Sequence, residues 1–328
     1  MSEQAPQLNL EEATSNLRMR LVGSTLAAVT AFGGLVAMEG AADAAPVQAQ
    51  QANEAIMHTM PNAAPRMSPA LRERWQHIDI AAHRGDTVGL DRGRHTENTY
   101  GAFKSAVRVA LAEHRRTGRP LSSFFLETDL WETKDGVLVD IHNKTINATT
   151  NGKGSVGSMT YAKLERYHTD LTPVHEKVPA FKKILRFAAR KGVSITPEIK
   201  DPHASRTQLN KLHQLITKYD MQSRTIVQSF YKRDLRLWHK AAPEVASSYL
   251  RNSHIRPNAV KAVGAEWVSY KQGAASAAVI SHAHAAGLKV SIWTPDNAHD
   301  LNKDVELGAD LVITNMSLEA ARIASGKG

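Results

Sequence analysis

The 328-residue chain contains no cysteine. That absence excludes disulfides, a thiolate nucleophile and a lipid-modified N-terminal cysteine, but it does not exclude export. Aromatic residues are scarce, 6% against 42% hydrophobic overall, so the core is expected to be aliphatic. No basic run is interleaved with aromatics, which removes the stacking platform expected of a nucleic-acid binder. No glycine-rich dinucleotide fingerprint follows the first strand-like segment, which argues against an open doubly wound sheet. The longest stretch without a charged residue is residues 21–38. Arg18 and Arg20 precede it and Ala42-Asp43-Ala44-Ala45 follow it. The pattern reads as a secretory signal over residues 1–44, with an uncleaved membrane anchor as the alternative.

Residues 1–44 hold two basic and five acidic residues, so the remainder carries +12 where the whole chain carries +9. Such a surplus favours phosphate groups and anionic membrane or cell-wall surfaces. Residues 45–70 are rich in Ala, Gln, Pro and Met without periodicity, and are expected to be a linker or propeptide. The folded domain is expected over residues 71–328.

Within that domain, short apolar runs alternate with amphipathic helical patterns. Strands are predicted at residues 78–82, 124–130, 193–200, 225–230, 245–249, 267–270, 289–293 and 310–314. Tyr100, Phe103, Val107 and Leu111 form one helical stripe, and Gly192, Gly287 and Gly308 stand where helix C-caps are wanted. Eight strands with intervening helices predict a TIM (β/α)8 barrel. The second strand has no helix directly after it. Lys134-Asp135-Gly136 instead signals a hairpin, and residues 131–178 read as an insertion on the catalytic face.

The chemistry-bearing residues fall at predicted strand ends. Glu127 and Asp129 sit two apart on a strand, which places both side chains on one face about 6.5 Å apart. His83-Arg84-Gly85 follows the first strand, and Glu198 and Lys200 end the third. Ser194, Thr196, Glu198 and Lys200 share one face of that strand, and this face is expected to point into the barrel. Three carboxylates without cysteine make a hard oxygen site suited to Mg²⁺ or Ca²⁺. His83 and His142 add proton-transfer groups, and Arg84 offers paired donors to phosphate. Taken singly, each acid is explained by a salt bridge and each histidine by a structural hydrogen bond; the grouping points to metal-assisted phosphate chemistry.

Several segments together resemble the glycerophosphodiester phosphodiesterase family. They are Ala82-His83-Arg84-Gly85, Glu97-Asn98-Thr99, Glu127-Thr128-Asp129, Thr133-Lys134-Asp135-Gly136, His142, Thr149-Thr150-Asn151-Gly152-Lys153-Gly154, Pro197-Glu198-Ile199-Lys200 and Gln228-Ser229-Phe230. Order and spacing agree over residues 78–316. The resemblance implies a barrel hydrolase that cleaves small glycerophosphodiesters to an alcohol and sn-glycerol 3-phosphate with a divalent cation, Ca or Mg. By position, Glu127, Asp129 and Glu198 would bind metal, and His83 and His142 would be the acid/base pair. Arg84 and Lys200 would hold phosphate, Glu97 would support the metal or His83, and Trp293 would lie near the substrate's glycerol end.

Three positions depart from the family pattern. Asn143 stands where an acid usually follows the second histidine, Thr96 replaces Pro before Glu97, and Asn315 replaces Asp after Ile313-Thr314. Two other functions stay open at this point. One is a phospholipase D-like or sphingomyelinase D-like enzyme, which calls for apolar residues around the site mouth. The other is a non-catalytic phosphate- or wall-polymer-binding barrel. A two-carboxylate glycosidase has no need of the two histidines and two cations.

Overall fold

The computed structural model describes residues 67–326. The expected signal at 1–44, its anchor alternative and most of the linker at 45–70 therefore lie outside the described residues. Helix α1 (Pro69–His77) begins two residues before the expected domain start, because Ser68 caps it by accepting from the Leu71 amide at 3.1 Å and Pro69 fits the first turn. Its Trp75 is fully buried and donates from Nε1 to Asn302 Oδ1 at 2.8 Å. No described helix is long and apolar enough to cross a membrane.

Strand β1 (Asp79–Ala82) leads to α2 (Tyr100–Thr117), where Phe103 and Val107 of the stripe read from the sequence are buried and its Tyr100 and Leu111 are half-buried against the same core. Next come β2 (Phe124–Glu132) and a short antiparallel partner, β3 (Leu138–Asp140), joined through the Lys134-Asp135-Gly136 turn. A single-turn helix, α3 (Tyr161–Leu164), lies in the insertion. Regular alternation resumes with α4 (Phe181–Lys191), β4 (Ser194–Ile199), α5 (Arg206–Lys218), β5 (Val227–Ser229), α6 (Lys232–Ala241) and β6 (Ser247–Arg251). It continues through α7 (Pro257–Lys261), β7 (Trp267–Lys271), α8 (Ala277–Ala285), β8 (Lys289–Trp293), α9 (Ala298–Leu307), β9 (Leu311–Thr314) and α10 (Ser317–Ala324). Gly192 ends α4 and Gly308 ends α9 at φ of 76° and 106°, conformations that residues with a Cβ adopt only with strain.

The strands pair in parallel in the order β1, β2, β4, β5, β6, β7, β8, β9, and β9 returns to β1. This is a closed eight-stranded barrel ringed by helices, as the alternation predicted. Two apolar layers follow from the period-2 geometry of its strands. Ile80, Leu126, Ile195, Ile199, Val227 and Val312 face outward and pack with the helices, where Phe181 and Trp238 are fully buried. Burying one such side chain contributes roughly 1.5–3 kcal/mol. Ala81, Phe125, Ile226, Trp267, Leu311 and Ile313 fill the interior instead.

The insertion builds its own small core from Val139, Ile141, Ile146, Val156, Met159, Leu164 and Val178. It is laced to the loop after β1 by His95 Nδ1 to Glu176 Oε2 at 2.8 Å and by the Val174 amide to the Arg94 carbonyl at 3.2 Å. Pro197 is buried inside β4 opposite Thr128, so a residue with no N–H sits in a central strand.

Candidate active site

Phe125 lies in the interior apolar layer, so Glu127 and Asp129, two and four residues on, also point inward. The β2–β4 register sets Asp129 directly beside Glu198. Glu127, Asp129 and Glu198 are all buried, and each offers one carboxylate oxygen within 4.8 Å of the others. Oxygens bound to a common Ca²⁺ at about 2.4 Å lie no more than about 4.8 Å apart, so the trio fits a hard divalent cation.

The trio also carries its own counter-charges. Lys200 Nζ lies 3.1 Å from Glu198 and 3.4 Å from Asp129. Arg84 lies 2.9 Å from Glu97 through Nη1 and 3.3 Å from Asp129 through Nε. Glu97, expected beside the metal or His83, thus reaches Arg84. Burial pushes Glu127 well above the usual carboxylate range, with Asp129 adding repulsion. Burial raises Glu198 to about 7 despite the pull of Lys200. Asp129 is buried as well, yet Lys200 and Arg84 hold it below its ordinary value.

The two histidines approach from separate segments. His83 follows β1, and its Nδ1 lies 2.8 Å from Asn315 Oδ1 while its Nε2 lies 4.0 Å from Glu127. The hairpin returns His142 to the same place, because the Ile141 amide donates to the Asp129 carbonyl at 2.9 Å. His142 Nδ1 lies 2.9 Å from Asn143 Oδ1. Burial lowers both rings to about 4; Arg84 adds to this at His83, and Lys200 and Arg84 oppose the pull of Asp129 at His142. Both are therefore neutral near pH 7, each with a ring nitrogen free of its asparagine partner. Trp293 ends β8 with its ring edge-to-face against Phe230 at 5.7 Å and its Nε1 donating to the Ser269 carbonyl at 3.3 Å.

Two orienting side chains carry no assigned role in the sequence reading. Asn98 Nδ2 donates to Asp129 Oδ2 at 2.8 Å, and Gln228 Nε2 donates to Glu127 Oε1 at 3.2 Å. Each belongs to a motif quoted above, and that was the signal available for finding them. Backbone conformation matters as much at the end of β1, where Arg84 and Gly85 take φ of 57° and 89°. The turn aims the Arg84 amide at Glu127 Oε2, 2.9 Å away. A Cβ on Gly85 would stand 2.7 Å from the Ala102 carbonyl carbon and 2.8 Å from its Cβ. Gly85→Ala is therefore expected to destabilise the protein by about 2 kcal/mol or more and to depress activity, as measured by denaturant unfolding and turnover.

The Glu198 shift gives a second expected result. A carboxyl whose folded pKa is raised from 4.5 to about 7 contributes stability that is present below 4.5 and lost as pH rises towards 7. In chelator, Glu198→Gln should gain on wild type across that window, by up to about 3 kcal/mol at its upper end. Unfolding curves at pH 4.5 and pH 7 check this; a gap that does not widen with pH refutes it.

The Glycerophosphoryl diester phosphodiesterase family model matches residues 83–318, the span that holds all the groups described above. A glycerophosphodiester phosphodiesterase of Caldanaerobacter subterraneus is 26% identical over 243 residues, covering 72% of this chain and 93% of that protein. One from Bacillus altitudinis is 26% identical over 254 residues, covering 74% and 97%. Among solved structures, a glycerophosphodiester phosphodiesterase of Agrobacterium tumefaciens superposes with a TM-score of 0.60 at 22% identity, covering 74% of this chain and 99% of that one. An Oleispira antarctica phosphodiesterase, solved with its product sn-glycerol-3-phosphate, superposes with a TM-score of 0.62 at 18% identity, covering 74% and 94%. The structural likenesses bear on the fold alone; the family match bears on the whole barrel, and the chain belongs to the glycerophosphoryl diester phosphodiesterase family.

Proposed function

We propose that this enzyme hydrolyses glycerophosphodiesters to sn-glycerol 3-phosphate and an alcohol, using a divalent cation on Glu127, Asp129 and Glu198 and proton transfer by His83 and His142. The observation that carries the reading is the buried carboxylate trio flanked by two neutral histidines, each with its Nδ1 edge held. The cation, Ca²⁺ or Mg²⁺, would supply charge to stabilise the phosphoryl oxygens in the transition state. Arg84 and Lys200 neutralise the acids until then, and are placed to turn to the phosphate. One histidine takes the proton of the nucleophile, either water or the substrate's free glycerol hydroxyl. The other gives a proton to the departing alkoxide. Trp293 and Phe230 offer apolar faces for the glycerol carbons.

A screen of glycerophosphodiesters with varied head groups, with and without added metal and reading released glycerol 3-phosphate, tests the proposal. Absence of turnover across the panel, with binding retained, would favour the non-catalytic barrel. One observation supports a reading on intact lysophospholipids. Among the described residues, the exposed large hydrophobic ones, Val88, Leu90, Leu171 and Tyr231, all lie on segments that follow strands β1, β3 and β5. Exposed apolar side chains on those segments would suit an acyl chain. Choline release from lysophosphatidylcholine, compared with glycerophosphocholine, decides between the two.

Residues 1–44 support export, and the +12 balance of the remaining residues supports contact with anionic membrane or wall surfaces. N-terminal sequencing of the protein from culture medium tests the first; salt-dependent sedimentation with anionic vesicles tests the second.

A further inference from the structure

Asn315 occupies a position where the family pattern has an acid, and its amide is held from behind. Asn315 Nδ2 donates to Asp296 Oδ2 at 2.9 Å, and the Asn315 backbone amide donates to Asp296 Oδ1 at 3.2 Å. Asp296 lies on the loop after β8 and Asn315 on the loop after β9. The two loops are also joined where Thr314 Oγ1 donates to the Pro295 carbonyl at 2.6 Å. Downstream of Asn315, its Oδ1 stands 2.8 Å from His83 Nδ1, while the His83 backbone amide donates to the Thr314 carbonyl at 3.0 Å.

The direction of this chain follows from which groups can donate. A carboxylate only accepts, so the Asn315 NH₂ group must face Asp296. The amide oxygen is thereby turned towards His83, and because it too only accepts, the His83 proton must sit on Nδ1. The neutral ring is left with its lone pair on Nε2, the nitrogen directed at the carboxylate trio. Without Asp296 the amide would be free to rotate by half a turn and present its NH₂ to the ring, which selects the opposite tautomer. His142 has no such brace: among the described residues, Asn143 is its Nδ1 partner and no carboxylate is hydrogen-bonded to Asn143.

We propose that Asp296 is a positioning residue for the reaction. Acting through Asn315, it fixes the tautomer and ring orientation of His83, so that the negative charge sits one hydrogen bond further from the ring than a directly contacting acid would. This rests on His83 serving in proton transfer. It adds that the service depends on an exposed residue more than two hundred positions away.

The test uses full-length protein labelled with ¹⁵N-histidine, together with turnover of glycerophosphocholine. The ring nitrogens of wild type should report a single Nδ1–H tautomer at His83. Asp296→Ala and Asn315→Leu should each populate the Nε2–H form and lower kcat by roughly 10- to 100-fold, leaving KM within about twofold, the size expected when the partner that orients a reactive histidine is lost. Asn315→Asp alone sets two carboxylates against each other and should also be impaired. The reciprocal exchange, Asp296→Asn with Asn315→Asp, rebuilds an acid–amide pair with an acceptor facing Nδ1 and should restore kcat to within about threefold of wild type. A merely structural contact would move melting temperature without moving the tautomer or the split between kcat and KM. An unchanged tautomer and kcat in Asp296→Ala, beside an inactive His83→Ala, overturns the brace. Full activity in His83→Ala overturns the proton-transfer reading instead, and the ring-nitrogen spectra still decide the tautomer.

Discussion

Turnover by His142→Ala is expected to fall by about 10²- to 10⁴-fold, and by a similar factor in His83→Ala, the range usually lost with a general acid or base. The two losses should arise without loss of fold. The His142 backbone is pinned independently of its ring, since its carbonyl accepts from Trp131 Nε1 at 3.1 Å and the preceding amide is bonded to Asp129. His83 likewise keeps its backbone bond to Thr314. Near-wild-type circular dichroism with collapsed kcat is therefore the expected pattern. Near-wild-type turnover in either variant removes that histidine from the chemistry. The double variant should be much less than multiplicatively worse, because the two groups serve one proton-transfer cycle.

Chelation should have an effect at least as large, taking activity to background and returning it on addition of Mg²⁺ or Ca²⁺. Asp129 is the proposed ligand whose replacement discloses the reason. It is the member of the trio held ionised, and Arg84, Lys200 and Asn98 all converge on it. Asp129→Asn keeps the shape and removes the charge, so cation affinity should fall by at least about tenfold, measured by calorimetric titration. Asp129→Ala should in addition lower stability by about 3 kcal/mol, as expected when one partner of a buried ion pair is deleted. Full turnover after exhaustive chelation would take the metal out of the mechanism.

The barrel was legible because its strands obey simple periods. In β4, Ser194, Thr196 and Glu198 alternate with Ile195 and Ile199, and the sorting into an inward polar face and an outward apolar face follows directly. The three-carboxylate cluster was legible for the same reason, since neighbouring strands with acids at matching depths meet at one level. The hairpin was visible in Lys134-Asp135-Gly136. What escaped notice depends on loop conformation and on long-range register, neither of which has a local signature. Asn98 reaches Asp129 from a left-handed backbone with φ of 57°. Gln228 meets Glu127 across 101 positions. The asparagines at 143 and 315 were noticed as missing acids, and only the folded chain pairs each with the Nδ1 of a histidine. The exposed Val88, Leu90, Leu171 and Tyr231 had no signal because they are scattered singly through polar loops.

The internal counter-charges at the carboxylate trio have a consequence for how the protein comes into being. Three buried acids that depended on a cation for neutrality would tie completion of the barrel to metal supply, as in small domains that stay unfolded until loaded. Arg84 and Lys200 remove that dependence. If the trio holds a cation as proposed, the chain would be able to close its barrel first and take up the ion afterwards, with the Lys200 ammonium, now 3.1 Å from Glu198 and 3.4 Å from Asp129, moving off them. On that reading loading would be a maturation step separate from folding, and the ion taken would be set by what surrounds the finished barrel rather than by what was at hand while it folded.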